Sequence, residues 1–280
     1  MALNQSQRIS NRSVGQLDQK NWIAEGDGLL ASAEKTRTIW MDHRRVFSQT
    51  VQQRRSRDRD ASADWNLLLG LPRSSMLLLG YSVEMYLKAG LVRAYHGCSE
   101  DMFKRDIKNR YGHRLVSMAN EIALSLDQND EKSLNLIMDM VLFDARYPVF
   151  VPPTDSYANT INQQTERIWS AESFANFTKL ANRIKTHSKR IDADPNKPAS
   201  FLSFNVDSDG YLAFRVGGHL PPRITFRASS EQVQRGETTS EDMKKLFPKL
   251  RFPQLVHWWH RAWIYEDGEH KTSCCTRPTH

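Results

Sequence analysis

The sequence predicts a mainly α-helical protein with a small C-terminal α+β appendage. Apolar residues recur near every 3.6 positions in successive segments from residue 22 to residue 190, which is the spacing of helices that bury one face. After the linker "DADPNKPAS" the pattern changes to two apolar runs that flank "DSDG", which predicts a β-hairpin. A chain of 280 residues is long enough for one large domain or a main domain with an appendage.

These patterns divide the chain into four parts. The N-terminal segment is polar and predicts a flexible region, and the boundary after the bundle follows the composition of the linker. The predicted parts are a flexible N-terminus at 1–21, a helical bundle at 22–191, an α+β appendage at 192–266 and a disordered tail at 267–280.

Each helix of the bundle is predicted from its apolar stripe and from the residues that end it. The second helix is expected to begin near Pro72, because proline is well tolerated in a first turn, and to end near Gly97. The charged stretch at 52–64 has no apolar face and predicts an exposed loop or helix end. The predicted helices cover residues 22–50, 72–96, 113–126, 131–143, 157–169 and 171–190.

The appendage is predicted from shorter signals. The hairpin strands are "FLSFNV" and "YLAFRV", and "RITF" predicts a third strand. "SEDMKKLF" predicts a helix with Ser240 as its N-cap, and an aromatic-rich segment, "FPQLVHWWHRAWIYE", follows. The appendage therefore combines a small sheet with short helices.

The composition describes a basic protein. A net charge of +7 suits an anionic partner such as RNA or a nucleotide, and an ordinary solvated basic surface is the equal alternative. Three cysteines without a CxxC pair predict neither a disulfide framework nor a zinc site, and no cofactor or metal is expected. The chain shows neither a signal-peptide core nor a run of 18 apolar residues, so a cytoplasmic protein that spans no membrane is expected.

Three short motifs follow one another within the predicted bundle. "GYSVEMYLKAGL" sets Glu84 and Lys88 four residues apart in an apolar helix. "YGHRL" carries His113, "FDARYPV" carries Arg146, and a helix rich in Ala and Phe comes next. In this order the motifs resemble those of the HEPN family of small α-helical bundles, over about residues 22–190. The resemblance implies a HEPN-like helical bundle, and because such bundles commonly pair, a homodimer is expected.

Glu84 and Lys88 are expected to share one helical face, because residues four apart on a helix are neighbours. At a seam of the bundle the pair would also meet His113 or Arg146 from neighbouring helices. The alternative is an ordinary surface ion pair, which contributes only about a few tenths of a kcal/mol.

His113 opens the third predicted helix close to Arg110 and Arg114 in the sequence. In this setting one interpretation of His113 is an acid–base or phosphate-contacting residue, and the planar guanidinium of Arg146 suits a phosphate. The alternatives are structural. His113 would hydrogen-bond a neighbouring turn, and Arg146 would form a salt bridge that holds the turn before Pro148.

The resemblance also implies ribonuclease activity as a candidate function. Many HEPN proteins are metal-independent ribonucleases in which an Arg is followed, after four to six residues, by a His in the helix that closes the bundle. There the Arg stabilises the phosphorane charge and the His moves the proton of the 2′-OH. Here Arg183 and His187 are separated by only three residues, which departs from the pattern, although they share a helical face. The candidate catalytic residues are His113, Arg146, Arg183 and His187, and the candidate ligand-binding residues are Glu84, Lys88, Arg110 and Arg114.

Three functional hypotheses follow from these observations. The first is a HEPN-like protein of a prokaryotic defence or toxin–antitoxin system that binds RNA or a nucleotide, with metal-independent RNA cleavage as its candidate activity. The second is a non-catalytic HEPN-like module for dimerisation and for binding a partner protein. The third is a generic helical scaffold. The basic charge favours the first, and the departure from the Arg–His spacing favours the second.

Overall fold

The computed structural model describes residues 7–50, 59–144, 156–250, 254–268 and 275–276. It shows a mainly helical protein with a small sheet near the C-terminus, which confirms the predicted fold class at that level. The helices are α1 (Gln19–Thr50), α2 (Arg59–Ala94), α3 (Glu100–Asp106), α4 (Leu115–Glu121), α5 (Gln128–Asp139), α6 (Tyr157–Trp169), α7 (Ala171–Arg190), α8 (Ser230–Gln234), α9 (Ser240–Lys244) and α10 (Gln254–Trp259). The strands are β1 (Ala199–Val206), β2 (Gly210–Gly217), β3 (Leu220–Arg227), β4 (Trp263–Glu266) and β5 (Cys275–Thr276).

The second half of α2 forms the centre of the helical part. α1, α4 and α7 pack against α2, which also contacts α5 and α6. Every residue from 75 to 94 is buried or half-buried, because this stretch is rich in apolar and small side chains that are stable when surrounded. The core around α2 includes Met76, Leu79, Val83, Leu87, Met118, Ile122, Ile137, Phe177 and Ile184.

α2 begins at Arg59, so Pro72 lies inside the helix and not at its start as predicted. Proline has no backbone N–H, and the carbonyl of Leu68 therefore loses its usual helical donor. The indole Nε1 of Trp40 on α1 donates to that carbonyl at 3.0 Å in a buried position. A side chain from the neighbouring helix thus replaces the hydrogen bond that the proline removes.

α1 and α2 approach each other closely along their length. Tyr86 of α2 packs against Gly26 of α1, where an added Cβ would lie 2.5 Å from the tyrosine ring. Gly80 of α2 approaches a different neighbour, the side chain of Val141 in the segment after α5, and leaves no room for a Cβ there. The buried positions of α1 alternate three and four residues apart, as in helices packed lengthwise against a partner; they are Gln19, Ile23, Gly26, Leu30, Ala33, Arg37 and Trp40.

The strands of the described residues form one sheet in the order β1–β2–β3–β4–β5. The predicted hairpin and third strand are confirmed, since β1, β2 and β3 pair antiparallel in succession. β4 pairs parallel to β3, and α8, α9 and α10 lie in the connection between them, as a parallel crossover requires. A second core fills the space between this sheet and the short helices; it includes Phe214, Ile224, Phe226, Met243, Phe247 and Trp259.

For residues 7–21 the structure differs from the predicted flexible N-terminus at 1–21. Ile9 is buried, and its backbone N–H donates to the carbonyl of Cys98 at 2.9 Å. The backbone N–H of Gly97 donates back to the carbonyl of Ile9 at 2.8 Å. The segment is held by these long-range hydrogen bonds, which its polar composition did not indicate.

The structure also differs from the predicted disordered tail at 267–280 at the first residue of that tail, Asp267. The buried carboxylate of Asp267 accepts hydrogen bonds from Ser99 Oγ at 2.6 Å and Tyr211 Oη at 2.8 Å. Arg227 Nη2 donates to the same oxygen at 2.7 Å. Residues 275–276 pair with β4 as a short strand, and the rest of the tail beyond residue 268 lies outside the described residues.

Several short elements differ from the sequence-based expectation. α3 was not predicted, because seven residues are too few to show a helical period. The third predicted helix ends early, at Glu121, and Ala123 just beyond it has a φ of 51°. Thr239, and not Ser240, caps α9, where its Oγ1 accepts from the backbone N–H of Asp242 at 3.2 Å.

Glu121 of α4 joins the helical part to the sheet. Its Oε1 accepts from Arg223 Nη1 at 3.0 Å and from Tyr265 Oη at 2.6 Å. Arg110 Nη2 donates to its Oε2 at 3.3 Å. The guanidinium of Arg223 also lies 3.9 Å from the ring centroid of Tyr95 and 3.6 Å from that of Tyr265. A single buried carboxylate therefore ties together α4, β3, β4 and the turn that carries Arg110.

We expect Gly26→Ala to lower the free energy of unfolding by about 1–3 kcal/mol, because the added methyl group overlaps the ring of Tyr86. Gly28→Ala on the same helix is the matched control, since nothing lies within 4 Å of its added Cβ. Helix propensity then predicts stabilisation by up to about 1 kcal/mol. Urea unfolding measures both changes, and equal effects would contradict the close approach of α1 and α2.

We expect Glu121→Gln to lower the free energy of unfolding by about 3–5 kcal/mol, because it leaves the buried guanidinium of Arg223 beside a neutral amide. Tyr265→Phe removes only one hydrogen-bond donor to a charged group and should cost about 1.5–3 kcal/mol. Chemical denaturation of both variants measures the difference. A larger loss for Tyr265→Phe would show that the charge of Glu121 does not hold the junction.

Candidate functional site

A π-helical turn at Ile107–Tyr111 and the glycine after it lead the chain to His113. The turn continues directly from α3 and ends where the N–H of Gly112 donates to the carbonyl of Ile107 at 2.9 Å. Gly112 has a φ of 51° and a ψ of −117°, a conformation that glycine adopts without a steric penalty. His113 therefore lies in a short, sharply bent connection before α4.

His113 is held by a buried carboxylate of α2. Its Nδ1 lies 2.8 Å from Oε2 of Glu84, and Nζ of Lys88 lies 2.6 Å from Oε1 of the same carboxylate. The side chain of Glu84 is 4% exposed, whereas that of His113 is 42% exposed. Within the described part of the chain, Nε2 of His113 has no hydrogen-bond partner. The structure thus joins Lys88 and His113 to the two oxygens of the Glu84 carboxylate and leaves one imidazole nitrogen available.

The Glu84–Lys88 pair is not the surface ion pair that was the alternative interpretation. Both side chains are largely buried, and Nζ of Lys88 lies 5.3 Å from the ring centroid of Trp22 on α1. Trp22 is itself fixed, because its Nε1 donates to the carbonyl of Gln16 at 2.7 Å. Removing either partner from a buried carboxylate is costly, so this cluster contributes to the packing of α2 as well as to the site.

Arg110 and Arg114 are close to His113 in the sequence but make different contacts. Arg110 is paired with Glu121 at the junction with the sheet. Arg114 donates to two carbonyls of the π-helical turn, and it stays exposed without pairing to a carboxylate of the described ranges. Lys108 on the same turn is exposed in the same way. Lys108 and Arg114 therefore supply exposed positive charge close to His113 in the sequence, whereas the charge of Arg110 is paired with Glu121.

Arg183 and His187 of α7 make no contact with His113 among the described residues. Arg183 forms an ion pair with Asp130 of α5. His187 Nε2 lies 2.8 Å from the carbonyl oxygen of Ile122, just after α4. Each side chain connects α7 to a neighbouring helix, so the geometry supplies a packing role for both.

Arg146 lies outside the described residues. Its expected position near His113, and its role as a phosphate-binding residue, stay predictions. Of the residues that the motifs suggested, the structure joins His113 to Glu84, and Glu84 to Lys88.

Glu121 was missed at the sequence level, although the signal was present. It lies within the apolar stripe of the third predicted helix, three residues after Met118 and directly before Ile122. A carboxylate in an apolar stripe needs a buried partner, and the same signal identified Glu84. Applied to Glu121, it would have indicated a cationic partner from elsewhere in the chain.

No protein-family model, no curated protein and no solved structure matches this chain. None of the helices in the described ranges combines the length and apolar character that crossing a bilayer requires. The same ranges contain no group of three or more His, Cys, Asp or Glu side chains placed to hold a metal ion. The HEPN resemblance rests on the motifs.

The stability of the fold should fall as the pH drops from about 7 toward 4, because two histidines are held neutral. Burial and the nearby charges of Arg93 and Arg215 lower the pKa of His96 to about 4. Burial also lowers the pKa of His187. In the unfolded chain both imidazoles have a pKa of about 6.5, so the unfolded state takes up protons before the folded state does as the pH falls. Their contribution to stability is fully present above that pH and is lost as the pH falls toward the folded pKa values.

Unfolding midpoints measured between pH 7.5 and pH 4.5 test this dependence, roughly the range in which the unfolded imidazoles titrate. His96→Asn removes one titrating group and should make the midpoint less sensitive to pH. His260→Asn changes an exposed histidine and should leave the slope as it is. A slope that is the same in all three proteins would contradict the role of His96.

Proposed function

We propose that this protein is a HEPN-like, RNA-binding protein of a prokaryotic defence or toxin–antitoxin system, acting in the cytoplasm, and that it cleaves RNA at the Glu84–Lys88–His113 site. The observation that carries the proposal is the hydrogen bond between Nδ1 of His113 and the buried carboxylate of Glu84. A carboxylate on one imidazole nitrogen fixes the orientation and the tautomer of the ring, so that the other nitrogen is left to accept a proton. His113 is thereby suited to act as a general base.

In the proposed reaction, Nε2 of His113 takes the proton of a ribose 2′-OH, and O2′ attacks the adjacent phosphorus. The O2′–P bond forms while the P–O5′ bond breaks, and the leaving O5′ takes a proton from water. The products carry a 2′,3′-cyclic phosphate and a 5′-hydroxyl, and the hydroxide formed removes the proton from His113. The groups that act in this step belong to the protein, the RNA and water, so the proposed reaction proceeds in the presence of a chelator.

Positive charge next to the histidine supports an RNA substrate. Lys108 and Arg114, both close to His113 in the sequence, are exposed and have no carboxylate partner among the described residues, so they are available to phosphate groups. A cation near the phosphorane stabilises the charge that develops in the transition state. The net charge of +7 adds a general attraction for nucleic acid.

The second candidate is a non-catalytic module for homodimerisation and partner binding, and exposed apolar side chains favour it. Met41 and Val46 near the end of α1, and Trp65 and Leu67 near the start of α2, are each about half exposed. The two helix ends are in contact, since the rings of Phe47 and Trp65 lie 6.0 Å apart. A group of large apolar side chains in contact with water is typical of a protein-binding surface. In this alternative the Glu84–His113 contact only stabilises the bundle.

RNA cleavage in the presence of a chelator distinguishes the candidates. We expect the wild-type chain to cut single-stranded RNA and leave 2′,3′-cyclic phosphate ends. His113→Ala should lower the rate by about 10²–10⁴, the usual contribution of a general base. Glu84→Gln should lower it by about 10–100-fold, because the imidazole loses the carboxylate that orients it.

His260→Ala is the matched control, because it removes an exposed histidine outside the site and should leave cleavage unchanged. A substrate with a single 2′-deoxyribose at the cut position should resist cleavage, since it lacks the attacking oxygen. A folded His113→Ala variant with the wild-type rate would remove His113 from the mechanism. Wild-type protein that sediments as a dimer and cuts none of a varied set of RNAs would favour the interaction module.

A further inference from the structure

A partly open cavity of about 370 Å³ lies where the end of α2 meets the connection between α7 and β1. Its walls come from the N-terminal segment, the start of α1, the end of α2, that connection and β1. Arg93, on this wall, is nine residues beyond Glu84 on α2. This spacing places it about 14 Å farther along the helix axis and on the opposite side of the helix. The cavity is therefore separate from the Glu84–Lys88–His113 site.

Arg93 contributes a guanidinium whose charge is not neutralised by any carboxylate of the residues that the structure describes. Its Nε donates to Oε1 of Gln19 at 3.0 Å, and its Nη1 donates to Oδ1 of Asn11 at 2.8 Å. Both acceptors are neutral amides, and Arg93 forms no ion pair with a carboxylate in the described ranges. Gln19 and Asn11 thus hold the guanidinium in place, and its Nη2 is left to bind an anionic oxygen.

Asp192, on the same cavity wall, supplies a carboxylate, whose charge is opposite in sign to that of Arg93. Its side chain is 8% exposed, and one carboxylate oxygen forms an ion pair with Arg215. The other oxygen, Oδ2, is buried and has no hydrogen-bond partner among the described residues. No hydrogen bond from Arg215 reaches Oδ2 in the described structure: its Nη2 is paired with Oδ1, and its Nε and Nη1 donate to the carbonyls of Arg93 and Gly217 at 3.1 and 3.0 Å. Buried carboxylate oxygens are normally hydrogen-bonded, so this one is suited to a donor from a bound molecule.

Arg215 links the two residues, since its Nε donates to the backbone carbonyl of Arg93 and its Nη2 pairs with the carboxylate of Asp192. Burial raises the pKa of Asp192, and the positive charges of Arg215 and Arg93 oppose that change. The remaining wall is apolar. Phe201 is fixed there by stacking on His96, with ring centroids 3.7 Å apart, and the other apolar residues are Ile191, Ala193 and Ala199.

We propose that this cavity binds a free α-amino acid with an apolar side chain. The α-carboxylate lies on Arg93, the α-ammonium donates to Oδ2 of Asp192, and the side chain packs against Phe201 and its apolar neighbours. An α-amino acid carries its anionic acceptor and its cationic donor on one carbon atom, which matches one unneutralised guanidinium and one unsatisfied carboxylate oxygen. The volume falls within the range of small-molecule sites, roughly 300–1,000 Å³.

Titration calorimetry of the full chain with L-leucine and L-phenylalanine tests the proposal, and saturable binding of one molecule per chain is expected. Two probes separate the contacts in the unaltered protein. 4-Methylpentanoate is leucine without its ammonium group, and 3-methylbutylamine is leucine without its carboxylate. Each should bind at least about tenfold more weakly than L-leucine, because each lacks one charge-assisted hydrogen bond. Glycine should also bind more weakly, because it leaves the apolar wall uncovered.

Arg93→Gln should weaken L-leucine binding by a similar factor, and Arg261→Gln, which changes an exposed arginine elsewhere, should leave it unchanged. If circular dichroism shows that Arg93→Gln does not fold, the affinities of the unaltered chain for L-leucine and its two analogues test the proposal instead. Absence of saturable binding of both amino acids up to about 10 mM would overturn the proposal, since such a site would be weaker than the millimolar range of metabolite binding. Equal affinities for L-leucine and 4-methylpentanoate would overturn it as well.

Discussion

The second half of α2 is covered by other elements on every side, and this constraint shapes the rest of the molecule. Where a neighbour approaches closely, only glycine fits, as at Gly26 beside Tyr86. Where a charge lies on the covered helix, it must be partnered, because an isolated buried carboxylate costs several kcal/mol. Glu84 is therefore bound by Lys88 from the same helix and by His113 from the connection before α4. The candidate site exists because a carboxylate was placed inside the bundle.

The same requirement operates at Glu121, with a different consequence. This carboxylate is satisfied by Arg223 of β3 and Tyr265 of β4, so its burial joins the sheet to the helices. Arg110 binds it from the π-helical turn that leads to His113. The turn is thus held on one side by the junction with the sheet and on the other by the buried carboxylate of α2. In this way the sheet helps to position the imidazole without contributing a residue to the site.

The helices that could be predicted are those whose burial leaves a period in the sequence. α7 lies where the apolar spacing placed it, because it buries one face against the bundle. The start of α2 was not predictable, since Pro72 is tolerated there through the hydrogen bond from Trp40 to the carbonyl of Leu68. The contact between Glu84 and His113 was within reach of sequence reasoning, because a carboxylate in an apolar helix demands a partner and an imidazole followed in the next motif.

Local periodicity and local composition were sufficient for the helical content, for the β-hairpin and for the identification of Glu84 as a charge that needs a partner. The choice of partners came from the packing of distant segments. Arg110 binds Glu121 and does not join His113, His187 binds a backbone carbonyl, and Asp192 pairs with Arg215 and keeps one oxygen unbound. The ordered N-terminal segment and the burial of Asp267 have the same origin. These contacts join residues that are far apart in the chain, and the spacing of neighbouring residues carries no information about which distant segments meet.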